Sequence, residues 1–290
     1  MKVYDCFTFW KEKELLYLRL KHLWNYVDKF VIVEASITHR GNTKDWNLEP
    51  LLETEFAWAK DKIIYIKKEL DANNYDLTHV STSYDPNSPY FHIEYDHRNA
   101  ILEGLTEAEP DDIIMIGDVD EIPSDLAMLY LNFVTDNFPI FAFGMRFFNY
   151  YFDVEQNLWE TTYLLRYACW NGTVVGKRKN LDYPQSWRDK RFIINYEGGF
   201  GFHFSWLDKN AAEAKFKNIS HDENTHLYDP LHVEKCFNPD SEGKFRDLLK
   251  RDWAYSIRVD IENDETYPKV FIEEAAKFPH LYYKLPIKNN

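Results

Sequence analysis

Ile113-Ile114-Met115-Ile116-Gly117-Asp118-Val119-Asp120-Glu121-Ile122-Pro123 is the stretch on which the reading of this chain turns. Four apolar residues in a row predict a buried strand, and Pro123 keeps it from continuing as a central one. Asp118, Asp120 and Glu121 therefore gather where the chain leaves the sheet. Ligands of open α/β sheets sit outside the carboxyl ends of the strands. Crowded carboxylates repel one another unless a cation or shared protons neutralise them. Hard divalent cations take oxygen ligands and leave positions for phosphate oxygens. An Asp-x-Asp at a strand end is thus a candidate metal–diphosphate site; the alternative is a solvated acidic turn.

Working outward, Val3 to Phe9 predicts a first strand and Glu12 to Trp24 a helix, with Leu15, Leu16, Leu18, Leu20 and Leu23 at helical spacing. Phe30–Val33 and Lys62–Ile66 predict two further strands. Residues 71–92, polar and holding Pro86 and Pro89, read as a long loop. Glu94 to Leu105 reads as a helix leading into the Asp118 strand. Alternation of this kind implies βαβ units and a mainly parallel sheet. A helix from Leu126 to Phe133 and a strand at Ile140–Phe147 follow. Short aromatic strands and Gly-rich turns then run to Phe204, and residues 210–277 read as mostly helical. With no linker or internal repeat, the expectation is one domain over 1–290, divided into a nucleotide-sugar half (1–125), an acceptor half (126–225) and a helical extension (226–290).

Other clusters carry chemistry. His203, between apolar neighbours in Gly201-Phe202-His203-Phe204-Ser205-Trp206, is a candidate metal ligand beside the two aspartates, giving an oxygen/nitrogen set suited to Mn²⁺ or Mg²⁺. Its alternative is a hydrogen-bonded core histidine. Glu94 and Arg98 stand at i and i+4 on a helix, where they can pair. Arg98 could instead meet a diphosphate or a site carboxylate. Glu34, leaving the second strand beside Ser36, Thr38, His39 and Arg40, is a candidate nucleotide contact. No Gly-rich phosphate loop, His-Glu-x-x-His or Gly-x-Ser-x-Gly occurs, so phosphate binding must run through metal rather than a backbone cradle.

Composition narrows the partners. A net charge of −14 argues against nucleic acid and anionic membrane, which need clustered cations. No apolar run approaches the roughly 18 residues of a membrane span, and the N-terminus lacks a secretory signal. Cys6, Cys169 and Cys236 are far apart and lack metal-ligand spacing, which fits free thiols in a reducing cytoplasm. Aromatics make up 17% of the chain, enough to fill a core and still face sugar rings or bases.

Several blocks in series resemble glycosyltransferase family 17. They are Asp5–Phe9 with Glu12, Glu14–Leu16 and Arg19-Leu20; Val27–Glu34; Arg98-Asn99; Asp111–Ile114 running into Asp118–Pro123; Phe141–Arg146; Gly201–Trp206; and Lys215. The resemblance implies a GT-A type α/β fold with an irregular helical C-terminal part, a UDP-sugar donor, Mn²⁺ (or Mg²⁺) dependence and inversion at the anomeric carbon. It places metal and diphosphate roles on Asp118 and Asp120, completes the metal shell with His203, and puts Lys215 at the donor with Glu34 and Arg98. The family includes the enzyme that adds the bisecting N-acetylglucosamine to N-glycans, which makes that sugar the expected one. The animal members carry a membrane anchor and lumenal stem that this sequence lacks. A microbial or viral cytoplasmic enzyme with another glycan acceptor is therefore expected.

The base that deprotonates the acceptor hydroxyl should come from beyond the metal motif, where Glu160 and Glu197 lead and Asp153 follows. Trp159, Trp170 and Trp206 are candidate sugar platforms. Two other readings use the same carboxylates differently: a metal-dependent phosphohydrolase or nucleotidyltransferase, and a non-catalytic glycan-binding protein.

Overall fold

Four apolar runs in the first 120 residues form the parallel half of one sheet, three of them buried on both faces, where strands need no polar alternation, and Ile63–Lys68 half-buried at the edge. The computed structural model describes residues 1–79, 83–156, 170–191 and 196–286, the side chains of 196–198 and 222 excepted. In chain order the elements are β1 (Val3–Thr8), α1 (Lys13–Leu23), β2 (Lys29–Ala35), α2 (Leu48–Leu52), β3 (Ile63–Lys68) and α3 (Pro89–Asn99). Next come β4 (Ile113–Asp118), β5 (Glu121–Pro123), α4 (Asp125–Asn137), β6 (Ile140–Asn149), β7 (Val154–Gln156), β8 (Trp170–Lys177) and α5 (Pro184–Lys190). The chain continues through β9 (Tyr196–Ser205), α6 (Lys209–Asn218), α7 (Pro230–Cys236), β10 (Lys244–Arg246), β11 (Tyr255–Arg258) and α8 (Lys269–Glu273).

The strands run in the order β10-β11-β7-β6-β8-β4-β1-β2-β3. β3, β2, β1 and β4 are mutually parallel. Beyond β4 the pairing turns antiparallel through β8, β6, β7, β11 and β10. β9 lies parallel to β6 and antiparallel to β5. Phe7, Leu16, Phe30, Met115, Leu131 and Phe143 fill one face of the sheet. Tyr4, Cys6, Val31, Ile101, Ile116 and Trp187 fill the other. This mixed α/β architecture, with a parallel nucleus between helices, is the fold class expected. No described helix is long and apolar enough to cross a membrane.

Three local expectations change. α3 begins at Pro89, five residues before the helix read at Glu94, and passes into a 3₁₀ turn over Ala100–Gly104. Proline at a first helical turn loses no hydrogen bond, so Pro89 opens this helix instead of closing a loop. Glu121–Pro123 is not a plain exit turn but a short strand whose Pro123 lies opposite Gly201 on β9. The C-terminal third carries helices and also β10 and β11, which extend the sheet through β7. Strands of three and four residues hold too few alternations to stand out from a charged helical background.

Candidate active site

The carboxylates of the Asp118 turn are set by a buried arginine from the first helix. Arg19 pairs in bidentate fashion with Asp5 on β1 at 2.7 and 2.8 Å, and both are fully buried. Its Nη1 donates to the carbonyls of Asp118 (2.8 Å), Val119 (3.3 Å) and Glu121 (2.6 Å). One guanidinium thus engages the turn's inward carbonyls, while the Asp118 and Asp120 side chains face a cleft. Gly117 permits the close approach beneath, since a Cβ there would lie 2.5 Å from Thr173 Oγ1 and 3.1 Å from Glu121 Oε2.

The three carboxylates then part company. Asp118 accepts Arg98 Nη2 on Oδ1 at 2.8 Å and Arg188 Nη2 on Oδ2 at 2.9 Å. Burial alone would raise its carboxyl, but Arg98 and Arg188 outweigh that and hold it well below the ordinary carboxylate range. Asp120 takes Lys215 Nζ on Oδ2 at 2.9 Å, while His203 Nε2 stands 3.6 Å from Oδ1. Here too burial is overcome, by Lys215 and His203, and the carboxyl lies far below its usual value. Glu121 points into the protein and is fully buried. Arg188 grips it at 2.7 and 2.8 Å, and it accepts Trp170 Nε1 at 2.8 Å and the Asp118 amide at 3.2 Å. Trp170 in turn stacks on the His203 ring, centroids 4.6 Å apart and 22° from parallel, with Phe147 edge-on at 4.7 Å.

Asp118, Asp120, His203 and Trp170 line this cleft of about 490 Å³, together with Thr8, Phe9, Thr38 and His39 from the β1 and β2 ends. Arg98 pairs with Glu94 at 2.8 Å as its helical spacing allows, and reaches Asp118 as well. Burial raises Glu94, yet Arg98 and His39 outweigh it and bring it down to about 2. Lys215 projects into the cleft from α6, which Asp208 caps after a turn holding Trp206 and Asp208 at φ of 56° and 57°. Such left-handed backbone is costly for these residues and is held by its surroundings. Trp206 lines the cleft and packs on Phe216.

Glu34 takes a different place from the one expected. It is fully buried and accepts Lys44 Nζ, the Asn47 amide and Nδ2, the Leu48 amide and Tyr65 Oη, at 2.8 to 3.1 Å. A carboxylate so fully engaged pins the 44–48 loop to β2, while Thr38, His39 and Lys44 line the cleft. Asp153 is likewise structural: it accepts the amides of Tyr283 (2.8 Å) and Lys284 (3.0 Å) and Arg258 Nε (3.2 Å). Glu160 and Trp159 lie outside the described residues, and of Glu197 only the backbone is described, paired with Phe143. Reading from sequence passed over the roles of Arg19 and Arg188, whose partners in the Asp118–Glu121 turn lie 99 to 102 and 67 to 70 positions away. Arg191, which also lines the cleft, was passed over as well. A cation inside an otherwise apolar helix stripe, as Arg19 is, was the one available signal.

A divalent cation fits part of the expected ligand set. Asp120 and His203 offer a hard oxygen and an imidazole nitrogen side by side, and His203 Nδ1 is buried with no hydrogen-bond partner. Asp118 departs from the expectation, since each of its oxygens already receives an arginine. Among the described residues no three His, Cys, Asp or Glu side chains converge as a ready-made metal cage. A pair of protein ligands completed by phosphate oxygens is nevertheless a usual arrangement for Mg²⁺-like ions.

Fold and cleft together describe an α/β protein with a carboxylate–cation site at the carboxyl ends of its parallel strands. The model of glycosyltransferase family 17 matches residues 1–281, and the chain belongs to that family. It is accordingly a glycosyltransferase, with a glycosyl donor and a glycan acceptor as its substrates. Among solved structures, residues 1–349 of S. aureus TarS are similar at 12% identity, with 82% of this chain and 70% of that one covered and a TM-score of 0.38. The Francisella tularensis 2-C-methyl-D-erythritol 4-phosphate cytidylyltransferase is similar at 10% identity, covering 76% and 100%, with a TM-score of 0.35. No curated protein matches.

Proposed function

We propose that this glycosyltransferase moves a sugar, N-acetylglucosamine by family analogy, from a UDP-sugar to a glycan hydroxyl by direct displacement with inversion. The observation that carries this reading is Asp120, shared between Lys215 and His203 in a cleft at the carboxyl ends of β1, β2 and β4. Asp120 and His203 would hold Mn²⁺ or Mg²⁺; when bound, the ion neutralises charge gathering on the leaving diphosphate. Lys215 sits within reach of that same charge and can pass from Asp120 to a phosphate oxygen, as a point charge on a flexible stem does readily. Arg98 and Arg188 hold Asp118, and through it the turn, in one geometry. Trp170 and Phe147 shield the His203 ring from water and orient it.

The acceptor hydroxyl loses its proton to a carboxylate as it attacks the anomeric carbon and UDP departs. Glu160 and Glu197 are the proposed bases. The free thiols Cys6 and Cys236, both buried, accord with the reducing compartment of a cytoplasmic enzyme.

The test is UDP release from a panel of UDP-sugars with Mn²⁺ and candidate glycans. Asp120→Ala should lower kcat/KM by at least about 100-fold, the scale of losing a preorganised electrostatic contact. One of Glu160→Gln and Glu197→Gln should lower kcat by about 100-fold or more with little change in donor affinity. UDP release that is indifferent to Asp120→Ala would sink the reading.

A further inference from the structure

A second cavity, of about 590 Å³, lies behind the wall of the first, under the β10–β11 hairpin. The wall is the loop Asp247–Ala254. Leu249 and Arg251 on it line the active cleft, while Arg251, Lys250 and Trp253 line the second cavity. Arg251 is thus common to the lining of both. We propose that this second cavity binds an anionic stretch of the acceptor glycan, away from the reacting hydroxyl. The proposal rests on the transferase reading above and adds to it the chemical class of the acceptor.

Three features support it. The loop is held in shape independently of any ligand. Asp247 accepts the Arg251 amide and Nε at 3.0 Å each and Nη2 at 2.5 Å, and its carbonyl accepts His232 Nε2 at 2.9 Å. Lys250 sits at φ 58°, a conformation that lysine adopts only when its surroundings impose it, and one that gathers at ligand-holding turns. Trp253 is 54% exposed at the rim, with the Arg251 guanidinium 5.2 Å from its ring. A broad apolar ring held in the open beside hydrogen-bond donors suits the flat face of a sugar.

Charge gives the class. In a chain of net charge −14, this cavity gathers Lys244, Arg246, Lys250 and Arg251; Lys244 is paired with Glu242 at 3.2 Å and Arg251 with Asp247, so Arg246 and Lys250 carry the charge open to a ligand. Of its three carboxylates, Asp247 is committed to Arg251, and Asp240 to the amides of Glu242 and Lys244 at 2.9 and 3.0 Å. Asp252 is exposed and faces the same space. Arg246 and Lys250 carry no ion pair among the described residues. The volume falls within the range of sites that enclose small ligands.

The experiment is equilibrium binding to the full chain, without donor, followed by tryptophan fluorescence and calorimetry. The probes are a galacturonate trimer for carboxylate, a glycerol-phosphate trimer for phosphodiester, and maltotriose as the neutral match. We expect at least one acidic probe to bind about tenfold or more tighter than maltotriose and to weaken as salt rises. Trp253→Ala should lower its affinity by about tenfold. Lys250→Gly, which removes the charge while relieving the positive φ, should lower acidic but not neutral binding. Equal affinity for acidic and neutral probes, or no binding of any, overturns the proposal. So does binding that ignores both substitutions. Donor cleavage by the unsubstituted protein reads the first cleft alone. Its absence across the UDP-sugar panel with acceptors present, alongside intact acidic-probe binding, would overturn the UDP-sugar reading and not this site.

Discussion

Glu121 is the residue whose role changed most between sequence and structure. In sequence it is one of three carboxylates crowded at the strand end, adjacent to the Asp-x-Asp, yet it lies fully buried between Arg188 and Trp170. Through the indole it fixes the ring that stacks on His203, which makes it a positioning residue. Glu121→Ala takes from buried Arg188 one of its two carboxylate partners, leaving Asp118, and should cost about 3 kcal/mol, the lower end of the penalty for breaking a buried ion pair. Urea denaturation checks this. Glu121→Gln keeps an acceptor for Trp170 Nε1 and should fold better than the alanine variant, yet, if Asp120 and His203 hold a metal as proposed, still loosen its affinity by roughly 10- to 100-fold, as changes behind a ligand do. Manganese binding followed by electron paramagnetic resonance, which a purely structural role would leave unmoved, decides between the two.

At the scale of the element, the β4–β5 turn is shaped more by its partners than by its own residues. Arg19 from α1 gathers three of its carbonyls, and Gly201 on β9 lets β5 pair closely, since a Cβ there would lie 2.7 Å from the Ile122 carbonyl. Arg19→Met keeps much of the side-chain bulk but leaves Asp5 charged and unpaired inside the protein. It should destabilise by about 3–5 kcal/mol. The double change Arg19→Met with Asp5→Leu should recover a good part of that loss while activity stays low, because the turn carbonyls remain without a donor. Recovery of both stability and UDP release in the double variant would show that the clamp does not position the site. Gly117→Ala belongs to the same turn. Its methyl would press against Thr173, and it should cost about 1–3 kcal/mol, as overpacking does.

For the whole molecule, the buried charges set how stability depends on pH. Burial pushes His97 down to about 3, with Nε2 donating to the Val33 carbonyl, so the folded protein keeps it neutral. The unfolded chain protonates it from near 6.5, so its contribution is lost as pH falls from there toward 3. Glu94, brought down to about 2 mainly by Arg98 against its own burial, contributes above 4.5 and loses that contribution as pH falls toward 2. Asp118 and Asp120 act in the same direction. The urea midpoint should therefore fall steadily from pH 7 to pH 4. His97→Gln should flatten the upper part of that slope and Glu94→Gln the lower part. A midpoint unchanged across this interval would contradict the buried-charge account.

The sequence by itself determined the parallel nucleus, the strand that delivers Asp118 and Asp120, and the helix that sets Glu94 beside Arg98. Each is a local matter: an apolar run, a proline, or a four-residue spacing decides it within one element. It also carried the family resemblance, because ordered blocks survive where single motifs are ambiguous. Only the tertiary structure decided which carboxylates face the cleft and which are buried partners. Arg19 meets the turn from 99 to 102 residues away and Lys215 meets Asp120 from 95. Glu34 likewise went to a loop because folding placed five donors around it. The charge of a buried side chain is settled by the groups brought against it, and no periodicity along the chain encodes which groups those are.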